Sequence, residues 1–425
     1  MEYLFLGMLI GSTIFLLAIS LKSNSGLRFI LLILAGYWII SFLIRPSLFL
    51  FARDFDINNV LYDSRIGKNE NDFNSILARI VLGNFVFCAT VSFLLLKFKK
   101  MPKRICKIRE KVAETRLLIL SLTVGLSSSL LELTSLQNPI TKSLSSLASF
   151  CFCAYIWNRD SYQLSRGKEL LLVSATLTVL LSVAGTTGHF KGVLLTPVVV
   201  LFARYLTRLS YRNIVGRLLI LSSLLFTLIP FFTYLQEKRL GSAAVDRFLN
   251  ESEKFPWFLS PFTNLAIRFD QFARVTDAYY AGEGILGGYG EWLHHVLVSL
   301  EWNPSSGRNS ISFGQQWNQQ VTYASVPGSR LSSVSLAQGM IGEGWIWNGF
   351  ISLILECLLM GALFYFVGQL LEGRTTAVIT AFGVIGNSTI FEAGTVQVAT
   401  SVSGAIKNLL FLIILKKLFL GTKHN

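Results

Sequence analysis

A carboxylate at the start of a long apolar run is the first residue whose surroundings suggest chemistry. Glu343 lies in GEGWIWNGF, residues 342–350, beside two tryptophans and Asn348. A carboxylate there can act as a general base or bind sugar hydroxyls. A carboxylate in the first turn of a helix also complements the helix dipole and bonds free backbone amides. The sequence leaves both roles open for Glu343.

The glycine-rich stretch GTTGHFKG, residues 185–192, holds the next reactive groups. His189 and Lys191 are its only titratable side chains. The glycines allow a sharp turn and a close approach of the backbone to a ligand. A lysine at the end of an apolar helix commonly extends to the lipid headgroups as an anchor. Lys191 is therefore either an anchor or a substrate ligand.

Arginines recur through the polar segment that precedes Glu343. Guanidinium groups bind phosphate oxygens with two parallel hydrogen bonds and stay charged at any working pH, which suits a diphosphate ligand. A solvated loop position explains any single one of them equally well. The arginines of this segment are Arg239, Arg247, Arg268, Arg274, Arg308 and Arg330.

The same segment ends in a polar, aromatic stretch, residues 301–335, which includes Trp317 and Tyr323. Aromatic rings stack on the faces of sugar rings, and side-chain amides bond sugar hydroxyls. This composition is also ordinary for a loop. We expect either a sugar-binding surface or a plain connection here.

The composition places all these residues in a membrane protein. Hydrophobic residues make up 52% of the 425, charged residues only 15%, and the mean hydropathy is +0.54. So little polar surface cannot solvate a globular domain. The net charge of +14 is spread over short loops between apolar runs, so it indicates membrane topology rather than nucleic-acid binding.

A bilayer requires about 20 apolar residues for each crossing helix. The predicted fold is all-α and polytopic, with about 11 transmembrane helices. Membrane helices 1–8 occupy residues 1–235, a large, partly helical loop occupies 236–342, and helices 9–11 occupy 343–425. The predicted helices are 3–21, 28–51, 77–96, 117–135, 139–156, 169–187, 192–209, 217–235, 344–371, 375–391 and 398–415.

The basic residues predict the orientation of these helices. The loop 97–116 holds nine lysines and arginines, and such loops stay in the cytoplasm. Alternation then places the N-terminus, the glycine turn and the large loop on the outer side, and the C-terminus inside. Glu343 is expected at the outer end of helix nine, one turn before Trp347 at the membrane interface.

Several standard motifs are missing from the chain. It contains no Walker loop, no GxGxxG after a strand and no HExxH, so the sequence gives no support for nucleotide-driven pumping, Rossmann cofactors or zinc hydrolysis. The neighbouring histidines His294 and His295 point to different faces of a helix, which makes a shared metal site poor. We expect neither a cofactor nor a metal.

The helix number, the long outer loop before the last helices and the entry GEGWIWN, residues 342–348, followed by Gly and Phe resemble the O-antigen polymerase (Wzy-type) family. In that family the pattern usually ends Asn-Phe-Gly, whereas Asn348, Gly349 and Phe350 invert the last two. The basic residue of the glycine turn would correspond to Lys191, and the loop arginine before an amphipathic helix to Arg268.

The resemblance implies a metal-independent, GT-C-like membrane glycosyltransferase of the bacterial inner membrane. It would transfer a growing glycan from undecaprenyl diphosphate to a new lipid-linked repeat unit, with a chain-length regulator protein as a further partner. Its diphosphate ligands would be Lys191, Arg268, Arg274 and Arg330. Glu343 or His189 would bind the acceptor hydroxyl, and Trp317, Tyr323 and Asn348 would bind sugar.

Two alternatives remain open at this point. An O-antigen ligase would deliver the finished glycan to the lipid A core instead. A flippase or secondary transporter would need polar residues along a central path, whereas the polar groups here crowd toward the outer side.

Overall fold

The described part of the chain is helical throughout. The computed structural model describes residues 1–51, 70–98, 114–133, 139–158, 166–187, 193, 196–197, 200, 271–300, 317–322, 339–386 and 394–420. The helices are α1 (Glu2–Lys22), α2 (Ser25–Phe51, with a π-helical turn at Ile39–Leu43), α3 (Glu70–Lys97), α4 (Glu114–Leu133), α5 (Pro139–Asn158), α6 (Arg166–Thr187), α7 (Gln271–Ala281), α8 (Tyr289–Leu300), a short π-helix (Trp317–Thr322), α9 (Met340–Leu370), α10 (Thr375–Gly386) and α11 (Thr395–Leu420).

Five of these helices are long and apolar enough to cross a membrane, so the chain is a membrane-embedded protein. A crossing needs about 20 apolar residues. The candidate spans are Glu2–Lys22, Ser25–Phe51, Asn71–Lys97, Met340–Leu370 and Thr395–Ile414.

Each predicted helix that overlaps the described residues falls on a described helix, although α9 is not straight. Nine of the predicted segments fall on α1–α6 and α9–α11. The predicted helices 192–209 and 217–235 lie outside the described residues, apart from isolated positions. The total of 11 spans and their orientation therefore stay predictions.

The described helices pack closely around α3, which lies against α1 and α9. The Phe87 ring lies 5.6 Å from that of Trp38 and 5.5 Å from that of Phe364. A Cβ added to Gly361 would lie 3.2 Å from the Phe87 carbonyl oxygen. Small residues of this kind let membrane helices approach each other, because lipid supplies no hydrophobic drive for association.

The outward faces of the same helices expose large apolar side chains. Examples are Leu4 on α1, Phe93 on α3 and Ile351 on α9, each more than half exposed. In water such a surface would be unfavourable, but lipid solvates it. The pattern therefore agrees with a bundle surrounded by a bilayer.

Helix α9 differs from the prediction, because it is a helical hairpin rather than one straight span. Asn348 has φ −163° and ψ 48°, and Gly349 has φ +59°, a left-handed conformation that favours glycine. A Cβ added to Gly344 would lie 2.7 Å from the Leu353 Cα, although nine residues span about 13 Å in a straight helix. The two halves, 340–347 and 350–370, therefore pack against each other.

A serine side chain fastens the hairpin. The Ser352 hydroxyl accepts a hydrogen bond from the Asn348 backbone N–H at 2.7 Å and donates one to the Gly344 carbonyl oxygen at 2.6 Å. Backbone groups left unpaired at the break are thus satisfied by a side chain. Non-helical backbone at membrane depth is tolerated where it is buried in protein in this way.

Candidate functional site

The structure describes four of the nine site residues that the sequence predicts. His189, Lys191, Arg268, Tyr323 and Arg330 lie outside the described residues. Arg274, Trp317, Glu343 and Asn348 lie within them, on or beside α7 and α9.

Glu343 is buried inside the protein. Its side chain is 0% exposed, and Trp347, expected as an interfacial ring, is also buried. The Glu343 Oε1 accepts a hydrogen bond from the Val396 N–H at 2.9 Å, and its Oε2 has no hydrogen-bond partner. Gly394 packs directly against this carboxyl group. The sequence allowed Glu343 to bond free amides at the start of its own helix. The structure shows it bonding an amide at the start of α11 instead.

Glu356 shares this position with Glu343. It is 2% exposed and accepts a hydrogen bond from the Thr395 N–H. Thirteen positions separate the two residues in sequence, about 20 Å in a straight helix, yet the hairpin brings both to neighbouring amides of α11. The first amides of a helix lack partners within it, so the two carboxyl groups cap α11 inside the bundle.

A cationic side chain of α3, Arg79, lies near the tip of the hairpin, the turn at Asn348 and Gly349. Its guanidinium carbon is 3.9 Å from the centre of the Trp345 ring, 4.6 Å from that of Tyr279 and 5.2 Å from that of Phe350. Such distances give favourable cation–π contacts. The rings come from α7 and both halves of α9, so Arg79 links three segments.

The donors of Arg79 are only partly used. Its Nη1 donates to the Ser75 carbonyl oxygen at 2.6 Å, whereas its buried Nε has no hydrogen-bond partner. A buried donor without a partner is unusual in proteins. Arg79 therefore keeps an unpaired donor near the hairpin tip.

An exposed carboxylate, Glu283, accompanies Arg79 at the hairpin tip. It belongs to the connection 282–288 between α7 and α8, which contains four glycines with positive φ. The Gly284 N–H donates to the Ile346 carbonyl oxygen at 2.8 Å and so ties this connection to the hairpin. The Glu283 carboxylate lies against Gly349 and attracts Arg79 electrostatically.

A further carboxylate, Asp72, joins α7 to the start of α3. The Tyr279 hydroxyl donates to its Oδ1 at 2.9 Å, and the Tyr280 hydroxyl donates to its Oδ2 at 3.0 Å. Burial, together with the bond to Asp72, raises the pKa of Tyr279. The phenol therefore stays protonated and keeps its ring over Arg79.

The other predicted residues occupy different environments around this tip. Arg274 forms an ion pair with Asp277 at 3.2 Å. Trp317 is buried and its ring edge faces Gly342, so this conformation presents no ring face to a sugar. Asn348 is exposed at the turn of the hairpin.

The adjacent histidines lie on α8, on the other side of the hairpin. The His295 ring is 5.8 Å from the Trp347 ring. Burial, and then the neighbouring His294, lower the pKa of His295. Within the described ranges, no group of three His, Cys, Asp or Glu side chains could hold a metal ion.

Sequence reasoning did not single out Arg79 or Glu283. Arg79 is the only charged residue of the predicted apolar helix 77–96. A lone charge inside such a run often marks a functional position. Glu283 lies in a Gly-Glu-Gly tripeptide identical to that around Glu343. Both features were available as indications.

Comparisons of the chain with protein-family models, with curated proteins and with solved structures found no match.

Proposed function

We propose that this protein is a membrane glycosyltransferase that polymerises lipid-linked oligosaccharide repeat units. It would move the growing glycan from undecaprenyl diphosphate to the terminal sugar of a new lipid-linked unit. The observation that supports this proposal is that Glu283 lies against the hairpin turn at Gly349, within electrostatic reach of Arg79, in a membrane-embedded bundle.

The reaction requires three things of the protein. The acceptor hydroxyl needs a group that takes its proton, and the departing diphosphate needs cations to stabilise its charge. The lipid carrier needs an apolar surface beside the reacting groups. An exposed carboxylate, a guanidinium with an unused donor and exposed apolar helix faces meet these needs.

The proposal distributes the predicted residues over these tasks. Lys191, Arg268, Arg274 and Arg330 would join Arg79 in binding the diphosphate, and Tyr323 and Asn348 would contact sugar. Trp317 is buried against Gly342 in this conformation, so the proposal gives it no sugar contact. His189 remains a candidate for the acceptor hydroxyl. Glu343 contacts α11 through Val396, so in this proposal it holds the hairpin in place.

The proposed setting is the bacterial inner membrane, with the N-terminus periplasmic and the C-terminus cytoplasmic. The hairpin tip would then face the periplasm, where lipid-linked repeat units are assembled into polymer. A chain-length regulator protein would be an additional partner. No metal or organic cofactor takes part in the proposed reaction.

The test is polymerisation by the purified full-length protein in lipid nanodiscs. The probe is an undecaprenyl-diphosphate-linked repeat unit, with and without a chelator, and products are separated by length. We expect a ladder of polymer that the chelator leaves unchanged. Failure to extend the single unit overturns the proposal.

The same assay distinguishes the two alternatives. Glycan transfer to added lipid A core without growth of the lipid-linked chain would identify a ligase. Movement of the labelled lipid-linked unit across proteoliposome membranes without chain growth would identify a transporter.

A further inference from the structure

We propose that Glu283 is the catalytic base, the carboxylate that takes the proton of the acceptor hydroxyl. This inference rests on the proposed glycosyltransferase function and names the residue that performs one of its steps.

The other carboxylates near the hairpin already have partners. Glu343 and Glu356 are sealed in the bundle and bond the first amides of α11. Asp72 accepts both tyrosine hydroxyls, and Asp277 pairs with Arg274. Glu283, by contrast, is exposed to an incoming hydroxyl.

The surroundings hold Glu283 in a defined place despite its exposure. The neighbouring Gly284 N–H is bonded to the Ile346 carbonyl oxygen, and the carboxylate itself lies against Gly349 at the turn. The hairpin is in turn fastened by Ser352. A reacting group works when its supporting contacts restrict its position in this way.

The surface beside Glu283 suits a sugar that carries a phosphate. The Phe350 ring is 50% exposed, and the exposed Asn348 side chain offers an amide at the same turn. Arg79, with its unused Nε, supplies positive charge next to them. Carboxylate, ring, amide and guanidinium thus meet at one accessible tip.

In the proposed step, the acceptor hydroxyl oxygen forms a new bond to the anomeric carbon of the donor glycan. The bond from that carbon to the diphosphate oxygen breaks, and its electron pair leaves with the undecaprenyl diphosphate. The hydroxyl proton passes to the Glu283 carboxylate and then to solvent. Arg79 stabilises the negative charge on the departing diphosphate.

The test compares Glu283→Gln with Glu291→Gln in the nanodisc assay. Glu291 is an exposed glutamate in the first turn of α8, a few residues further along the chain, and makes a matched control. We expect Glu283→Gln to lower kcat by about 100-fold or more, with a much smaller change in KM. Glu291→Gln should match the wild type.

Rescue by a conservative carboxylate supplies a readout that a structural role would not move. Glu283→Asp should restore part of the rate. It also tests the assignment if the Gln variant fails to fold, because a shorter carboxylate should then lower kcat without abolishing it.

The outcomes separate this inference from the proposed function. A polymerising wild type with an equally active, folded Glu283→Gln overturns the assignment of Glu283 alone. A wild type that makes no polymer overturns the proposed function and the assignment with it.

Discussion

The tripeptide Gly-Glu-Gly occurs at residues 282–284 and again at residues 342–344, and the two carboxylates have opposite environments. Glu343 is 0% exposed and bonds the Val396 N–H. Glu283 is exposed beside Gly349 and Arg79. The same tripeptide can therefore cap a helix end inside the protein or expose its carboxylate to solvent.

The neighbours of each tripeptide produce the difference. Residues 342–344 are followed by the apolar WIW and lie in the first half of the hairpin, residues 340–347. There Glu343 packs against Gly394, just before α11 begins. Residues 282–284 follow α7 and start a connection rich in glycine that lies over the hairpin tip. Burial makes the first carboxyl group a structural cap, and exposure leaves the second accessible to solvent.

Labelling with a membrane-impermeant maleimide should show the largest contrast between these two regions. Cys106 is first replaced by Ser, because the other four cysteines are buried. In that background, Glu283→Cys should react nearly completely with the maleimide added outside intact cells. Cys357, buried next to Glu356, should stay unlabelled and serve as the internal control. If Cys357 is labelled, or if position 283 is labelled only after the cells are lysed, the predicted difference in accessibility is wrong.

Arg79 should matter for turnover, because it supplies the positive charge at the accessible tip. Arg79→Ala should lower kcat/KM of polymerisation by about 100-fold, the usual effect of removing one group that stabilises developing negative charge. Arg79→Lys should recover only part, because an ammonium lacks the planar fork and ring stacking of a guanidinium. Lys97→Ala provides the control.

Lys97 is exposed at the opposite end of the same helix, α3. Its removal changes the net charge equally but should leave polymerisation unchanged. Equal rates for Arg79→Ala and the wild type would remove Arg79 from the site.

Glu343 should matter for stability. Glu343→Ala leaves the Val396 N–H buried without its partner, which should lower the free energy of unfolding by about 1–3 kcal/mol. Glu343→Gln retains a carbonyl oxygen as acceptor and should lose less. Thermal unfolding of the purified variants in detergent compares them. A folded Glu343→Gln with a lost kcat and an unchanged Tm would make Glu343 a participant in the reaction.

The tyrosine pair should give the smallest effects. Tyr279→Phe and Tyr280→Phe each remove one hydrogen bond to Asp72 and should lower stability by about 0.5–1 kcal/mol. The ring over Arg79 is kept in Tyr279→Phe, so kcat/KM should change little. A large loss of activity in Tyr279→Phe alone would show that its hydroxyl contacts substrate.

Hydropathy alone located most of the described helices, because the length of an apolar run records the thickness of the bilayer. It did not find the reversal within α9. A running average of hydropathy places Asn348 and Gly349 in one straight helix, because it carries no information about where the chain reverses direction. The chain reverses at Gly349 through a left-handed φ, and hydropathy does not report backbone angles.

The site was harder to predict than the helices. Arg79 acquires its surroundings from Tyr279 on α7 and from Trp345 and Phe350 on the two halves of α9. These residues are far apart in sequence, and no spacing rule connects them. Arg274, chosen from the sequence as a phosphate ligand, turned out to have a local ion-pair partner three residues away.

The sequence by itself determined that the chain is an all-helical membrane protein in its described part, because apolar length and the scarcity of charge are local properties. Only the tertiary structure decided which of two identical tripeptides is sealed and which is accessible. That outcome depends on where the hairpin of α9 places each carboxylate relative to α11 and α3, and burial is a property of such contacts between distant segments.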